Sequence, residues 1–329
     1  MSKPKAVRKP ARLQGTGQSE PSADEINKIL GPVREAHRAR EAWAVPAVLA
    51  PPRSNPDLLK RMLQRSGLKL DEIGQLAEEQ RAKLRRLADK RMRQGLAQSK
   101  SLQAALSHGT DAQIKAAKDL TWLFPGSQLQ ILDRPAGIST TGGLQMDHAR
   151  IQSMGSWAKV KHHLDSTDST ARELMFSYFW QNPSVDTDAV ISVLSLITAN
   201  GLARADDTTG FWIETHLHTI LYIDVELQVF DWPVANPQDP QVSSGASRVA
   251  TLDAYGPGWP ECVGAIVIQN IFRGLTLNVD ELVVAGGGAK IFDLVFRLTA
   301  AIDDGDIDAD FSSNDFRVTS PMTMIRITS

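Results

Sequence analysis

The sequence predicts an antiparallel β-sandwich of the jelly-roll kind at residues 122–329, preceded by an extended and helical N-terminal arm. Charge and aromatic content divide the chain at the same place. Lys and Arg outnumber Asp and Glu by 24 to 12 in residues 1–118, whereas acidic residues outnumber basic ones by 26 to 12 in residues 119–329. Trp43 is the only aromatic residue before Trp122. From about residue 128 onward apolar and polar side chains alternate between turn signals, a pattern typical of strands.

The first 121 residues divide into a tail and a helical arm. Residues 1–21 are rich in Lys, Arg, Pro, Gly and Ser, a composition that predicts a flexible basic tail. Residues 22–121 predict short helices, joined by a Pro-rich connector at 45–56. Because this segment has little apolar surface to bury, we expect the arm to need a partner and residues 122–329 to fold without it.

The first helix of the arm has a recognisable start. Ser22 and Glu25 have the spacing of a capping box, in which each residue satisfies a backbone donor of the first turn. The helix is predicted to run toward Trp43, with an interruption near Gly31 and Pro32 because proline lacks the N–H that a helix interior needs.

The longest predicted helix of the arm runs from Asp71 to about Gln94. It carries a narrow apolar stripe, formed by Ile73, Leu76, Leu84, Leu87 and Met92. The stripe favours docking on a neighbour over a coiled coil. A DNA-binding helix-turn-helix at Gly67 is disfavoured because its second helix would bring carboxylates to the phosphates, while non-specific contact of the basic tail with nucleic acid stays open.

Ten candidate strands follow in about 200 residues. They are 128–133, 156–164, 173–182, 189–200, 213–230, 247–256, 264–272, 275–284, 290–302 and 323–329. Long strands with short links predict two packed sheets, most simply a jelly roll. The glycines at 286–288 have no helix after them to bind a phosphate, so they predict a hairpin turn.

The strand at 213–230 contains histidines and carboxylates that could suggest a metal-dependent enzyme. Its odd positions are apolar or Thr and predict the core face, so its even positions predict an outer face. The outer face then carries two histidines and three carboxylates: Glu214, His216, His218, Asp224 and Glu226.

Residues 210–218 resemble part of the first motif of the cupins. Gly210 is followed after five residues by His216 and then by His218, as in that motif. The resemblance implies a metal-dependent enzyme whose ligands line the interior of the barrel. Here Glu226 lies further along the chain than the motif's glutamate, no second motif follows, and the histidines are predicted on the outer face.

The acidic segment at 303–315 is the stronger metal candidate. Carboxylates occupy alternating positions similar to those of an EF-hand calcium loop, at Asp304, Asp306, Asp308, Asp310 and Asp315. Ala309 stands where such a loop has its turn glycine. The segment therefore predicts a weak calcium site, with a solvated acidic turn as the alternative.

Aromatic residues near strand ends leave a carbohydrate site open, since sugars stack on such rings. The candidates are Trp157, Tyr178, Trp180, Trp212, Trp232 and Trp259. In a β-sandwich such residues also serve as core or rim.

These observations predict a non-enzymatic structural subunit of a larger particle, such as a virion, a phage tail or a related assembly. Residues 1–120 would bind copies of the chain or other subunits, and the β-sandwich would form an outer module. The alternative is a carbohydrate- or receptor-binding module tethered by its helical arm, and a third is a cupin-like metal enzyme. No cofactor is expected apart from calcium.

The predicted location follows from what the sequence lacks. A single cysteine, Cys262, excludes an internal disulfide framework. No secretory signal and no apolar run long enough for a membrane span are visible, so we expect synthesis in the cytoplasm and a place in a macromolecular assembly.

Overall fold

The structure is a computed structural model of the 329-residue chain. It describes residues 20–44, parts of 65–94, and 127–165, 169–207, 217–233, 240–256, 265–302 and 305–328. None of the helices in these ranges is long and apolar enough to cross a membrane.

One helix and fourteen strands have defined bounds in the described residues. The helix, α1, spans Ala23–Ala44. The strands are β1 Ser127–Leu132, β2 Gly137–Thr141, β3 Gln145–Arg150, β4 Ser156–Leu164, β5 Ser169–Gln181, β6 Ala189–Asp206, β7 Leu217–Trp232, β8 Val242–Ser243, β9 Ser247–Gly256, β10 Ile266–Val284, β11 Ala289–Ile302, β12 Asp306–Phe311, β13 Arg317–Ser320 and β14 Thr323–Thr328.

The strands form two antiparallel sheets with jelly-roll order. Sheet A has the order β10-β6-β12-β4, and β13 and β14 extend β12 along the same edge of β6, with β1 beside β14 and β3 beside β4. Sheet B has the order β2-β5-β11-β7, with β8 and β9 both beside β7. From β4 to β12 the chain alternates between the sheets, except between β7 and β9. The interleaved orders β4-β12-β6-β10 and β5-β11-β7-β9 confirm the predicted jelly roll.

The core lies between the sheets, and aromatic side chains make contacts across it from one sheet to the other. Phe296 of β11 meets Phe311 of β12 edge to face, with ring centroids 4.9 Å apart. Tyr178 of sheet B is fully buried, and its hydroxyl lies 2.6 Å from the Ser320 hydroxyl of sheet A. A Cβ at Gly201 would lie 2.3 Å from the Phe311 ring, so only glycine fits there.

The predicted strands agree with the observed ones where alternation is strong. The bounds 156–164 and 247–256 match β4 and β9. The predicted pair 264–272 and 275–284 is one strand, β10, because Arg273 and Gly274 remain in register with β6. The sequence prediction missed β2, β3, β8, β12 and β13, which are short or lie in polar segments.

The predicted hairpin at residues 286–288 is wrong. The turn joins β10 of sheet A to β11 of sheet B, and these two strands do not pair with each other. It is a tight connection between the two sheets. A Cβ at Gly286 would lie 2.5 Å from the Val185 carbonyl oxygen, because the connection from β5 to β6 packs against the same turn.

Strand β10 is 19 residues long and, among the strands that the structure describes, pairs only with β6, so it borders sheet A. Arg273 lies opposite Ala199, a core residue, yet its side chain is exposed. A bulge between Val279 and Leu282 places Glu281 at a positive φ of 58°. A charged residue at a core-side position and a bulge are features with which natural edge strands resist pairing with other strands.

The arm differs from its prediction in two respects. Helix α1 continues through Pro32, whose exposed position lets water satisfy the carbonyl that proline leaves without a donor. Residues 82–91 are helical, but Leu87 is 51% exposed and Ala88 is buried. The docked face of that helix therefore includes Ala88, which lies one turn after Leu84, and not Leu87.

Candidate interaction site

The candidate site is the outer face of sheet B, the face turned away from the sandwich core. Along β11, Phe292, Leu294 and Phe296 point into the core, whereas Asp293 and Arg297 point outward. Every residue of β11 is nevertheless buried. An outer face with buried charges is a face that another part of the protein covers.

Helix α1 covers one half of this face. Its start is the predicted capping box: the Ser22 amide donates to Glu25 Oε2 at 2.8 Å, and the Glu25 amide donates to the Ser22 hydroxyl at 3.2 Å. The apolar spacing of the helix, four and then three residues, places one stripe against the sheet. That stripe and its partners form a separate buried cluster of Ile26, Leu30, Val33, Phe230 and Ile291.

A buried ion pair joins α1 to the centre of the sheet. The Arg34 guanidinium donates from Nε to Asp293 Oδ2 and from Nη2 to Asp293 Oδ1, each at 2.8 Å. Nη2 also donates to the Ser177 hydroxyl at 2.9 Å, and Nη1 to Asn27 Oδ1 at 2.8 Å. Arg34 is 2% exposed and Asp293 is fully buried. The bidentate geometry and the added hydrogen bonds offset the desolvation of both charges.

The second half of α1 is held at the turn between β2 and β3. Arg38 donates to the Ala171 carbonyl at 3.1 Å and pairs with Glu35 at 2.5 Å, while Glu35 accepts from the Gly142 amide at 3.3 Å. Gly142 has φ +65°, and a Cβ there would lie 2.6 Å from the Ala171 oxygen. Glycine is therefore required for the turn to approach β5 this closely.

A second ionic cluster lies on the same face of sheet B, between three strands. Arg297 donates from Nε to Glu173 Oε1 at 2.8 Å and from Nη2 to Glu226 Oε2 at 3.0 Å. Gln228 and Ser243 donate to Glu226, and Thr141 donates to Glu173. The side chains of the three charged residues are at most 8% exposed. This arrangement ties β5, β11 and β7 together and holds the sheet in register.

Of the residues that suggested a cupin-like metal site, those that the structure describes are paired with other side chains. In β7 the odd positions line the core, which confirms the predicted faces. His218 lies on the opposite face, with Nε2 2.5 Å from Asp253 Oδ1 and its ring edge-on to Tyr255. Asp224 binds Arg248 at 2.5 Å. Glu226 belongs to the Arg297 cluster, and residues 210–216, with Gly210, Glu214 and His216, lie outside the described part.

The acidic segment is mostly a strand. Residues 306–311 form β12, so Asp306, Asp308 and Asp310 lie along one face at alternate positions and do not curl round a common centre. Asp308 pairs with His163 at 2.6 Å, and Asp310 accepts the backbone amides of 312 and 313.

Asp315 lies in the turn after β12, and Asp304 lies outside the described residues. In the part of the chain that the structure describes, no group of three or more His, Cys, Asp or Glu side chains is placed to hold a metal ion. Calcium binding by the five-residue set stays a prediction.

The aromatic candidates for a sugar site that the structure describes are not brought together. Tyr178 and Trp180 are core residues, and Trp232 packs beside α1. Trp157 alone of the described candidates lies on the outer face of sheet A, where it is half-buried, whereas residues 212 and 259 lie outside the described part. The ring centroid of Trp157 lies 5.3 Å from that of His148, and the Arg317 guanidinium stands 5.6 Å from it.

The pKa values of two adjacent histidines of β4 are shifted in opposite directions. Burial lowers the pKa of His162 to about 4, and the positive charges of Arg172 and His163 act in the same direction. The neighbouring His163 is exposed, and its hydrogen bond to Asp308 raises its pKa. The alternation of the strand thus separates a neutral core histidine from a paired surface histidine.

We expect His162 to make the fold acid-labile. Unfolded histidine takes up a proton near pH 6.5, but folded His162 does so only near pH 4, so stability falls as pH drops between these values. The loss is about 3 kcal/mol at pH 4. His162→Leu should flatten urea-unfolding stability across this range. The control His163→Gln should change stability by under about 1 kcal/mol, with the loss confined to acid pH. An unchanged pH profile in the Leu variant would contradict this assignment.

No protein-family model matches the chain, and no curated protein matches it. Among solved structures, the chain is similar to TmCBM61 in complex with beta-1,4-galactotriose, at 12% identity over 59% of this chain and 88% of that chain, with a TM-score of 0.17. It is also similar to CBM4, at 9% identity over 56% of this chain and 86% of that chain, with a TM-score of 0.20. The tailspike protein 4 enzymatically active domain of bacteriophage CBA120 matches at 10% identity over 60% of this chain and 19% of that chain, with a TM-score of 0.19.

Proposed function

We propose that the chain is a non-enzymatic structural subunit of a larger particle, such as a virion, a phage tail or a related assembly, that uses its N-terminal arm for assembly. The observation that carries the proposal is the buried Arg34–Asp293 pair between the arm and sheet B. Surface ion pairs contribute little to binding, whereas loss of one partner from a buried pair leaves an uncompensated buried charge. The outer face of sheet B is therefore built to be covered by an arm helix.

Charge supports the same proposal. Residues 1–118 carry a net charge of +12 and residues 119–329 a net charge of −14, while the whole chain carries only −2. Each copy thus has one strongly positive and one strongly negative part. Copies that approach each other can pair arm with sandwich, and this attraction weakens as salt shortens the Debye length.

The mass of the native species tests the proposal. We expect light scattering of the full chain in low salt to show a mass several times 36.0 kDa, and negative-stain images to show particles of uniform size. Raising the salt from about 0.05 M to about 1 M should shift the mass toward the monomer, since the Debye length falls below about 5 Å. A chain that stays monomeric at high concentration and low salt contradicts the proposal.

A carbohydrate-binding module is the second candidate, favoured by Trp157 on the outer face of sheet A. Its half-buried ring, with a histidine and an arginine beside it, can stack on a sugar while polar neighbours donate hydrogen bonds. A panel of neutral oligosaccharides should then give measurable heats of binding by isothermal titration calorimetry. Trp157→Ala should abolish binding, and the control Trp157→Phe, which keeps an aromatic ring, should retain part of it. No binding of any member of the panel eliminates this candidate.

A further inference from the structure

The chain between α1 and the sandwich is long enough for α1 to reach a second copy. Helix α1 ends at Ala44 and β1 begins at Ser127, so about 80 residues separate them. Even an all-helical segment of this length spans about 120 Å. A domain of about 200 residues is only about 45 Å across. The length of the connection therefore permits α1 to reach the sheet of an adjacent copy as well as its own.

From this length and from the geometry of the dock we infer that, in the assembled state, α1 of each copy docks on sheet B of a second copy. The inference rests on the proposed function and names the partner of the same surface. The contacts within the dock are the same whichever copy supplies the helix, because only the connection differs. Exchange of an identical element between copies is a low-cost route to assembly.

The dock is specific for this helix. Arg34 donates from Nε to Asp293 and from Nη2 to Ser177 on sheet B, and Asn27 of the same helix orients its Nη1. The apolar stripe fits beside Phe230 and Ile291. At the start of α1, Ala23 packs closely on β2, and a Cβ added at Gly137 would lie 2.7 Å from the Cβ of Ala23. A second copy of the same chain carries a helix with the same arginine, the same apolar stripe and the same small residue at its start.

Charge reversal distinguishes the two arrangements. Arg34→Asp in one chain and Asp293→Arg in another each set like charges against each other within their own dock. In a mixture, the Arg34 helix of the second chain can restore the wild-type pair on the Asp293 sheet of the first. We expect each variant alone to expose α1 to protease at least tenfold faster than wild type, and co-expression to restore protection in complexes that contain both chains. Co-expression without restored protection would overturn the inference.

A cysteine pair provides a measurement that does not depend on burying a reversed charge. Ala23→Cys is placed in one chain and Gly137→Cys in another, both with Cys262→Ser so that no other thiol is present. A disulfide requires the two Cβ atoms to lie about 3.5–4.5 Å apart, within about 1–2 Å of the present separation. Docking between copies gives a disulfide-linked pair of the two different chains on mild oxidation.

The control for the cysteine pair is one chain that carries both substitutions. If it forms an internal disulfide while the separate variants never cross-link, α1 docks only on its own chain and the inference is wrong. In that case a wild-type chain of high mass by light scattering still supports the proposed function. A monomeric wild type contradicts the proposed function as well, so the two failures are distinguishable.

Discussion

Arg297→Met should lower the free energy of unfolding by about 3–5 kcal/mol, because it leaves two carboxylates buried without their shared counterion. Glu173 and Glu226 both accept hydrogen bonds from Arg297, on strands that flank it. Neither strand can move away without opening sheet B. At about 2–4 °C per kcal/mol in a domain of this size, the melting midpoint should fall by about 6–20 °C.

The compensating variant separates lost charge balance from lost packing. Adding Glu173→Gln and Glu226→Gln to Arg297→Met removes the two carboxylates while keeping the shape of their side chains. Most of the lost stability should return, since neutral amides are less costly to bury than unpaired charges. Calorimetry of the single and triple variants measures this. A single variant as stable as wild type would show that this cluster does not hold the sheet together.

Removal of residues 1–44 is expected to produce a second large effect. The truncated chain loses the buried stripe of Ile26, Leu30 and Val33 and uncovers Asp293. Each buried aliphatic side chain contributes about 1.5–3 kcal/mol, partly offset by the entropy of ordering the helix. We expect cooperative unfolding to persist, because the core between the sheets is intact, but with the midpoint lowered by about 10 °C.

A peptide of residues 20–44 should reverse the effect of the truncation. At 100 times its Kd, a ligand that binds only the folded state adds about 2.7 kcal/mol of stability. The matched control is the same peptide with Arg34→Ala, which keeps the apolar stripe but loses the ion pair. A truncated chain with the wild-type midpoint, or equal rescue by both peptides, would contradict the importance of the dock.

The sequence predicted the architecture because period-two alternation is a local signal. β4 and β9 alternate cleanly and were predicted with their observed bounds. The same signal was present at 306–311, where Ile307, Ala309 and Phe311 alternate with aspartates, but the acidic residues suggested a loop. Apolar residues that alternate with charged ones are therefore a signal that could have identified β12.

The candidate site could not be predicted in the same way. Asp293 and Arg297 alternate with core residues on β11, so the sequence places them on an outer face that local pattern assigns to water. Their burial depends on Arg34, 259 positions earlier in the chain, and on strands β5 and β7. Only the three-dimensional arrangement shows that this polar face is covered.

The border strand β10 affects whether other copies can add strands to the edge of sheet A. A long unblocked strand lets each newcomer extend the sheet, and such growth has no natural end. With the charged Arg273 at a core-side position and Glu281 at a bulge, the addition of a strand to β10 is disfavoured. Sheet A is thereby protected at β10 from open-ended growth by the addition of further strands.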